Sequence, residues 1–256
     1  MARFRVGVQL QPQHVSYADF ADGVRRAEEL GVDTIWNWDH FYPLYGEPDG
    51  MHFEGWTLLT AMAQLTSRAE IGCLVACNSY RNPQLLADMT RTIDHISGGR
   101  VILGIGAGWF QRDYDEYGYE FGTAPDRLRD LRHSLPVIIE RWQKLNPPPM
   151  RDPIPILIGG GGEKVTLKLV AQYASMWNSF GPPDKFKHKN EVLNNWCQEL
   201  GRDPAEIERT VLINPDEINQ LDAFVDAGAT HFILGMGAPW NFEPVQRLVE
   251  WRDTQG

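Results

Sequence analysis

Only three cysteines occur in the 256 residues, Cys73, Cys77 and Cys197, and none is paired in a CxxC. An odd number without that spacing indicates neither a disulfide framework nor a zinc cluster, and it suits structural or free thiols in a reducing compartment. Basic residues are also scarce: 24 Lys and Arg stand against 34 Asp and Glu, for a net charge of -10. That balance opposes attraction to nucleic-acid phosphates and anionic lipid, so neither nucleic acid nor a membrane is expected as a partner. No apolar run reaches the roughly 18 residues of a membrane span, and Met1 to Leu10 is too short and interrupted for a signal peptide, which points to the cytoplasm. The GxGxxG fingerprint and the Gly-Lys-Ser/Thr of a Walker loop are missing as well. Core-forming residues are plentiful, with 43% hydrophobic and 11% aromatic. Such a chain buries a sizeable core and is not disordered.

Extended apolar runs alternate with helical patterns from end to end, the rhythm of repeated βα units. Strands are expected at Phe4 to Leu10, Thr34 to Asp39, Glu70 to Ala76, Val101 to Ile105, Ile154 to Ile158, Met176 to Ser179, Thr210 to Ile213 and His231 to Leu234. Helices announce themselves by caps and periodicity. Ser16 leads into Tyr17 to Leu30, closed by Gly31, and Asn82-Pro83 opens a helix that stops at Gly98-Gly99. Asp184 to Gly201, Asp216 to Ala227 and Asn241 to Trp251 follow the same pattern. The proline-rich stretch Asn146 to Pro155 is a stiff linker between two halves of one barrel. Eight units in one domain over residues 1–256 make an α/β, (β/α)8 TIM-like barrel the leading fold, with an open doubly wound sheet as the alternative.

In either architecture chemistry sits beyond the carboxyl ends of the strands. Asp39-His40 follows the second strand, an acid beside an imidazole suited to proton transfer near neutral pH. On its own the pair reads first as structure, with Asp39 capping a turn and His40 packed on tryptophan. Gly104-Ile-Gly106-Ala107-Gly108-Trp109 follows the fourth strand and reads either as a backbone platform for a planar ligand or as a tight turn. Ile158-Gly159-Gly160-Gly161-Gly162 ends a strand and opens a helix, which suits a phosphate cradle or a flexible turn equally. Trp36, Trp38, Trp109, Trp177 and Trp240 fall near strand ends, where flat apolar rings line a pocket or simply pack.

Together, Ala27 to Asp33, Asp39-His40-Phe41, Arg81-Asn82-Pro83, Ile93 to Arg100, Gly104 to Trp109 and Ile158 to Gly162 resemble the bacterial luciferase-like superfamily, especially its actinobacterial deazaflavin-dependent branch. The resemblance implies a TIM-like barrel that binds coenzyme F420, a 5-deazaflavin, with FMN as the alternative. It further implies a non-prolyl cis peptide at the end of the third strand, near Leu74 and Val75, behind the cofactor ring. Gly106, Ala107 and Gly108 would line the cofactor, while Gly159, Gly160, Gly161 and Gly162 would hold its phosphate. Asp39 would lie near the ring and His40 would move a proton. Deazaflavin glucose-6-phosphate dehydrogenases of this superfamily carry Trp after the Pro43 position and Glu at the Trp109 position. Here Leu44 and Trp109 stand instead, which argues against that substrate.

What the resemblance implies is a hydride-transferring oxidoreductase acting on an unidentified small organic molecule. An FMN-dependent monooxygenase and a non-catalytic deazaflavin carrier are the competing readings. Arg81, Arg112, Lys164 and Lys168 are candidates to face the anionic end of the cofactor, Tyr42 to Phe53 is the candidate lid, and the resemblance implies a homodimer.

Overall fold

The computed structural model describes residues 4–255. Along the chain lie β1 (Arg5–Leu10), α1 (Tyr17–Glu29), β2 (Thr34–Asn37), α2 (Gly55–Leu65), β3 (Glu70–Cys73), β4 (Ala76–Cys77) and α3 (Pro83–Ser97). Then come β5 (Val101–Gly106), α4 (Gln111–Tyr117), α5 (Ala124–Lys144), β6 (Ile156–Gly159), α6 (Thr166–Tyr173), β7 (Met176–Phe180) and α7 (Pro183–Glu199). The chain finishes with β8 (Glu208–Ile213), α8 (Leu221–Asp226), β9 (His231–Met236) and α9 (Glu243–Thr254).

All strand pairings are parallel, in the order β3-β2-β1-β9-β8-β7-β6-β5-β4, and β3 also pairs with β5. That last pairing closes the sheet. β3 and β4 are two halves of the third barrel strand, separated by Leu74 and Val75, so the closed barrel has eight strands. The open doubly wound sheet is thereby excluded. Each expected strand is present, with ends shifted by at most two residues, and the third is broken into β3 and β4.

Alternation along the strands divides the core into two layers. Val6, Ile35, Ile71, Val101, Leu103, Ile158, Trp177, Phe232 and Leu234 pack outward under the helices. Their neighbours Trp36, Leu74, Ile102, Leu157, Met176 and Ile233 form a separate cluster that fills the barrel interior. Below that apolar layer the barrel is closed by charge, with Arg5 paired to Glu208 at 3.0 Å and also to Glu70, which Arg151 joins. Thr34 Oγ1 bridges His231 Nε2 at 2.9 Å and accepts from Trp36 Nε1 at 2.8 Å.

Local signals account for the helix starts. Ser16 Oγ accepts from Asp19 N, Asn82 Oδ1 accepts from Gln84 N and Leu85 N, and Gly98 ends α3 at φ 69°. The expected helix at Asp216 to Ala227 is instead a 3-10 segment, Pro215–Gln220, running into the short α8. α2, α4, α5 and α6 were not among the periodic helices. α5 carries Pro136 in its interior, which masks its length in the sequence.

The proline-rich linker is pinned rather than merely stiff. Asp94 Oδ2 accepts from Met150 N at 2.6 Å and Arg151 N at 3.1 Å, and His95 Nε2 meets Pro148 O at 2.8 Å. From the same segment, Arg100 donates to the carbonyls of Ala63, Thr66, Ala69 and Ser97 and to Thr66 Oγ1, all within 3.0 Å. Its guanidinium thus satisfies carbonyls at the end of α2 and ties them to β3. Arg100→Met removes these bonds and strands several carbonyls, so unfolding by denaturant should show a loss of about 2–4 kcal/mol. An unchanged midpoint would refute the role.

Candidate active site

The carboxyl ends of the strands surround a cavity of about 550 Å³, within the roughly 300–1,000 Å³ usual for small-molecule sites. Its floor is set by the break in the third strand. Leu74 stays with the interior layer, while Val75 is partly exposed on the cavity side. The Leu74–Val75 peptide is cis, as the resemblance implied. Gln9 Nε2 donates to Leu74 O at 2.7 Å, and Leu74 N donates to Asn37 O at 2.8 Å, which fixes the break from both sides.

Glycine makes room for Val75: a Cβ on Gly106 would lie 2.8 Å from one Val75 methyl, and a Cβ on Gly159 3.0 Å from the other. Gly108 has φ +84° and abuts the Tyr114 hydroxyl, where a Cβ would lie 2.0 Å away. Leu74, Val75, Gly106, Ala107, Gly108, Gly159 and Gly160 all line the cavity.

Gly161 and Gly162 do not. The chain turns away after Gly160, whose carbonyl accepts from Trp177 Nε1 at 2.8 Å. A Cβ on Gly161 would meet Ser179 Oγ and the Lys189 side chain at 3.6 Å, and Glu163 pairs with Lys189 and His188. Nor does the helix open on the glycines, since α6 begins only at Thr166, with no side-chain cap at Val165.

Asp39 and His40 part company. Both line the cavity, yet the two side chains take different partners. Asp39 is fully buried and holds Arg81 through two bonds, Oδ2 to NH1 at 2.6 Å and Oδ1 to NH2 at 2.9 Å, while accepting from Cys77 N at 3.0 Å. Burial pushes its carboxyl upward, and the Arg81 guanidinium and the Cys77 N–H oppose that push. Arg81 also binds Glu54 Oε1 at 2.6 Å. It is therefore occupied by two carboxylates and is not available to an anionic cofactor tail. Arg112 is likewise engaged, by Asp49 and the Tyr42 ring, and Lys168 lies over the Trp196 ring.

His40 instead takes Asp113, a residue that the motifs leave unmarked. Nδ1 lies 2.7 Å from Asp113 Oδ2, which also accepts from the Tyr80 hydroxyl at 3.0 Å. The other oxygen accepts from Phe41 N at 3.2 Å and Tyr42 N at 3.1 Å. A carboxylate that only accepts requires the proton on Nδ1 and leaves Nε2 for the cavity. Three rings stand edge-on around this imidazole, Trp38 at 5.8 Å, Trp109 at 6.0 Å and Phe110 at 5.5 Å. Of the five tryptophans near strand ends, Trp38 and Trp109 line the cavity, whereas Trp36, Trp177 and Trp240 pack elsewhere.

Sequence reasoning also passed over Gln9, Tyr80, Asn178 and Asn214, all of which line the cavity. Gln9 and Asn178 are polar residues near the ends of otherwise apolar strands, a signal that would have found them. The expected lid, Tyr42 to Phe53, is anchored at both ends. His14 N donates to Met51 O at 2.7 Å and Phe53 N to Pro12 O at 3.0 Å, while Gln13 Oε1 receives Leu44 N at 2.8 Å. It forms a fixed wall that contributes Leu44 and Tyr45 to the cavity.

The Cys77 thiol, pushed up to about 11 by burial, stays protonated at neutral pH and bonds the Tyr114 hydroxyl at 3.1 Å. His52 lies parallel to Trp38, accepts from its Nε1 at 3.0 Å, and is held down to about 4 by burial. An unfolded histidine titrates near ~6.5, so the unfolded chain binds the extra proton first as pH falls. Stability from this group is complete above that value and declines as pH drops from about 6.5 towards 4, by on the order of 2–3 kcal/mol. Thermal melts across this range should lose less stability in His52→Gln than in the native protein. Parallel pH profiles would refute the assignment.

The model of the family described as luciferase-like monooxygenase matches residues 1–215. An F420-dependent glucose-6-phosphate dehydrogenase of Amycolatopsis mediterranei is 32% identical over 188 residues, covering 66% of this chain and 54% of that protein. The chain thus spans about half the length of that curated relative. Among solved structures, an F420-dependent secondary alcohol dehydrogenase in complex with an F420-acetone adduct superposes with a TM-score of 0.86 at 20% identity, covering 97% of this chain and 98% of that one. The coenzyme F420 dependent tetrahydromethanopterin reductase of Methanopyrus kandleri gives 0.82 at 17%, with the same coverage. These two likenesses establish the barrel fold. With a closed eight-stranded barrel, a broken third strand and a family match over most of its length, the chain belongs to the luciferase-like monooxygenase family.

Proposed function

We propose that this chain is an oxidoreductase that binds the deazaflavin coenzyme F420 and transfers a hydride between it and a small organic substrate. The observation that carries the reading is His40, oriented by buried Asp113, facing a cavity whose floor is Val75 flanked by glycines. The F420-dependent dehydrogenase relative and the two F420-dependent enzymes of like fold support it. The residues present fit the group. Val75, seated against Gly106 and Gly159, gives the cavity an apolar floor on which a flat ring system can lie.

Leu74, Val75, Gly106, Ala107, Gly108, Gly159 and Gly160 would hold the ring. Asp39 contributes through Cys77 and Arg81, by fixing the cavity wall. Outside the cavity, Gly161 stands next to Lys189, which is paired with Glu163, so the anionic end of the coenzyme would have to displace that carboxylate to reach positive charge. Bound there, the coenzyme supplies or takes up a hydride, and the protein provides orientation and proton transfer. Asp113 keeps the proton on Nδ1 of His40, so Nε2 is the atom that exchanges a proton with substrate oxygen. Trp38, Trp109 and Phe110 exclude water around it.

The three cysteines are free and buried, and among the described residues no helix is long and apolar enough to cross a membrane. Both fit the cytoplasm as the working compartment. The surface depression between α1, α2 and α3, where exposed Tyr17 and partly buried Leu65 and Met89 lie beside Thr57, Thr60 and Gln64, is where a second copy would pack in a homodimer. Light scattering should give twice the chain mass of 29.1 kDa, and a monomer would overturn that part.

Titration of the protein with F420 and, separately, with FMN should show F420 bound at micromolar concentrations or below and FMN bound far more weakly. Preference for FMN, or binding of neither, would overturn the cofactor assignment. On a substrate that turns over, His40→Asn should lower kcat by about 10²–10⁴ and leave F420 affinity unchanged. Undiminished turnover would remove His40 from the mechanism.

A further inference from the structure

Among the described residues, no Lys or Arg lines the cavity. The ionisable side chains there are Asp39, His40, Tyr45, Cys77 and Tyr80. Asp39 is already bound to Arg81, Tyr80 donates to Asp113, and Cys77 stays a thiol. Around the His40 end the charged groups are Asp39, Asp49, Glu54 and Asp113 against Arg81, Arg112 and Arg127, four carboxylates to three guanidiniums, with Arg112 taken up by Asp49 and the Tyr42 ring. Arg127 spends its donors on the carbonyls of Gly108, Phe121 and Gly122. The local field is therefore negative, and no cation is left to pair with an incoming anion. Burying an anion without a partner is strongly unfavourable.

What the same end offers is apolar surface. Trp38, Leu44, Tyr45 and Trp109 wall the space around His40, and Tyr45 and Trp109 are 64% and 62% exposed at its rim. Large rings left open at a cavity mouth are surface that a ligand covers.

From these observations we infer that the substrate is an uncharged, largely apolar organic molecule carrying one oxygen that accepts a hydrogen bond. Phosphorylated and carboxylated compounds are rejected. The inference rests on the reading that the cofactor ring takes the floor at Val75, which leaves the His40 end for substrate. Recognition is then one polar contact from His40 Nε2 within an aromatic wall, with no ion pair.

A matched pair of probes tests it, acetophenone and 4-acetylbenzoate, which differ by one carboxylate. Each is titrated into the protein at low salt while tryptophan fluorescence is followed, with and without saturating F420. Acetophenone should bind at least about tenfold more tightly than 4-acetylbenzoate in both series. Tyr45→Arg, which changes only a rim side chain, should cut that preference by about tenfold. Equal or tighter binding of 4-acetylbenzoate to the native protein would overturn the inference. So would the absence of any response to acetophenone in protein that has taken up F420. Failure to take up F420 falls on the cofactor reading, and the F420-free series still compares the two probes.

Discussion

Two buried carboxylates, Asp39 and Asp113, hold the mouth of this barrel together. Each is inaccessible, and each is satisfied by donors from separate connections of the chain. Asp39, just past the end of the second strand, gathers the backbone of Cys77 at the end of the third barrel strand and Arg81 from the segment after it. Asp113, on α4 after the fourth barrel strand, gathers His40, Tyr80 and two amides of the segment after β2. A buried anion that lost one of these donors would be costly, so each carboxylate commits several loops to a single arrangement. The loops at the mouth are consequently part of the folded framework, and the imidazole of His40 is set before any ligand arrives.

The break in the third strand works with the carboxylates to shape the cavity. Without it, alternation would continue from β3 to β4 and no side chain would rise at the centre of the barrel mouth. With it, Leu74 completes the interior layer and Val75 stands above, between Gly106 and Gly159. Gly106 and Gly159, at the ends of β5 and β6, are then required to let Val75 stand there. Gln9, reaching across from β1 to the Leu74 carbonyl, makes the first strand a third support for the same feature. A flat apolar floor is thus a consequence of barrel construction rather than an addition to it.

How much of this was readable depended on whether the governing interactions were local. Caps, turns and alternating apolar runs belong to neighbouring residues, so the strands and the helices at Ser16 and Asn82 were legible, as was the closed barrel they build. The segment Ile93 to Arg100 was visible as a motif, but its work is long-range: Asp94 ties down the linker and Arg100 caps α2. Asp39-His40 was correctly placed at the mouth. The assumption that neighbours in sequence act on each other failed there, because each side chain takes a partner from a distant part of the chain. Asp113 was invisible for the complementary reason, since its partner lies 73 positions away. Gly161 and Gly162 were grouped with Gly159 and Gly160 by composition, yet only the fold decides where a glycine run leaves a cavity.

The distribution of charge completes the physical picture. Cations in this acidic chain are spent largely where they hold backbone or carboxylates: Arg5 and Arg151 at the base, Arg100 under α2, Arg81 and Arg127 behind the mouth. Among the described residues none lines the cavity, and Lys189, outside it beside the glycine turn, is paired with Glu163. A ligand with a neutral flat body would meet a neutral floor. At the His40 end the guanidiniums of Arg81 and Arg127 are already engaged, which leaves no free positive charge there. Discrimination there must come from shape, apolar contact and a single hydrogen bond, and a site built in this way gains most when water is kept from the imidazole that makes that bond.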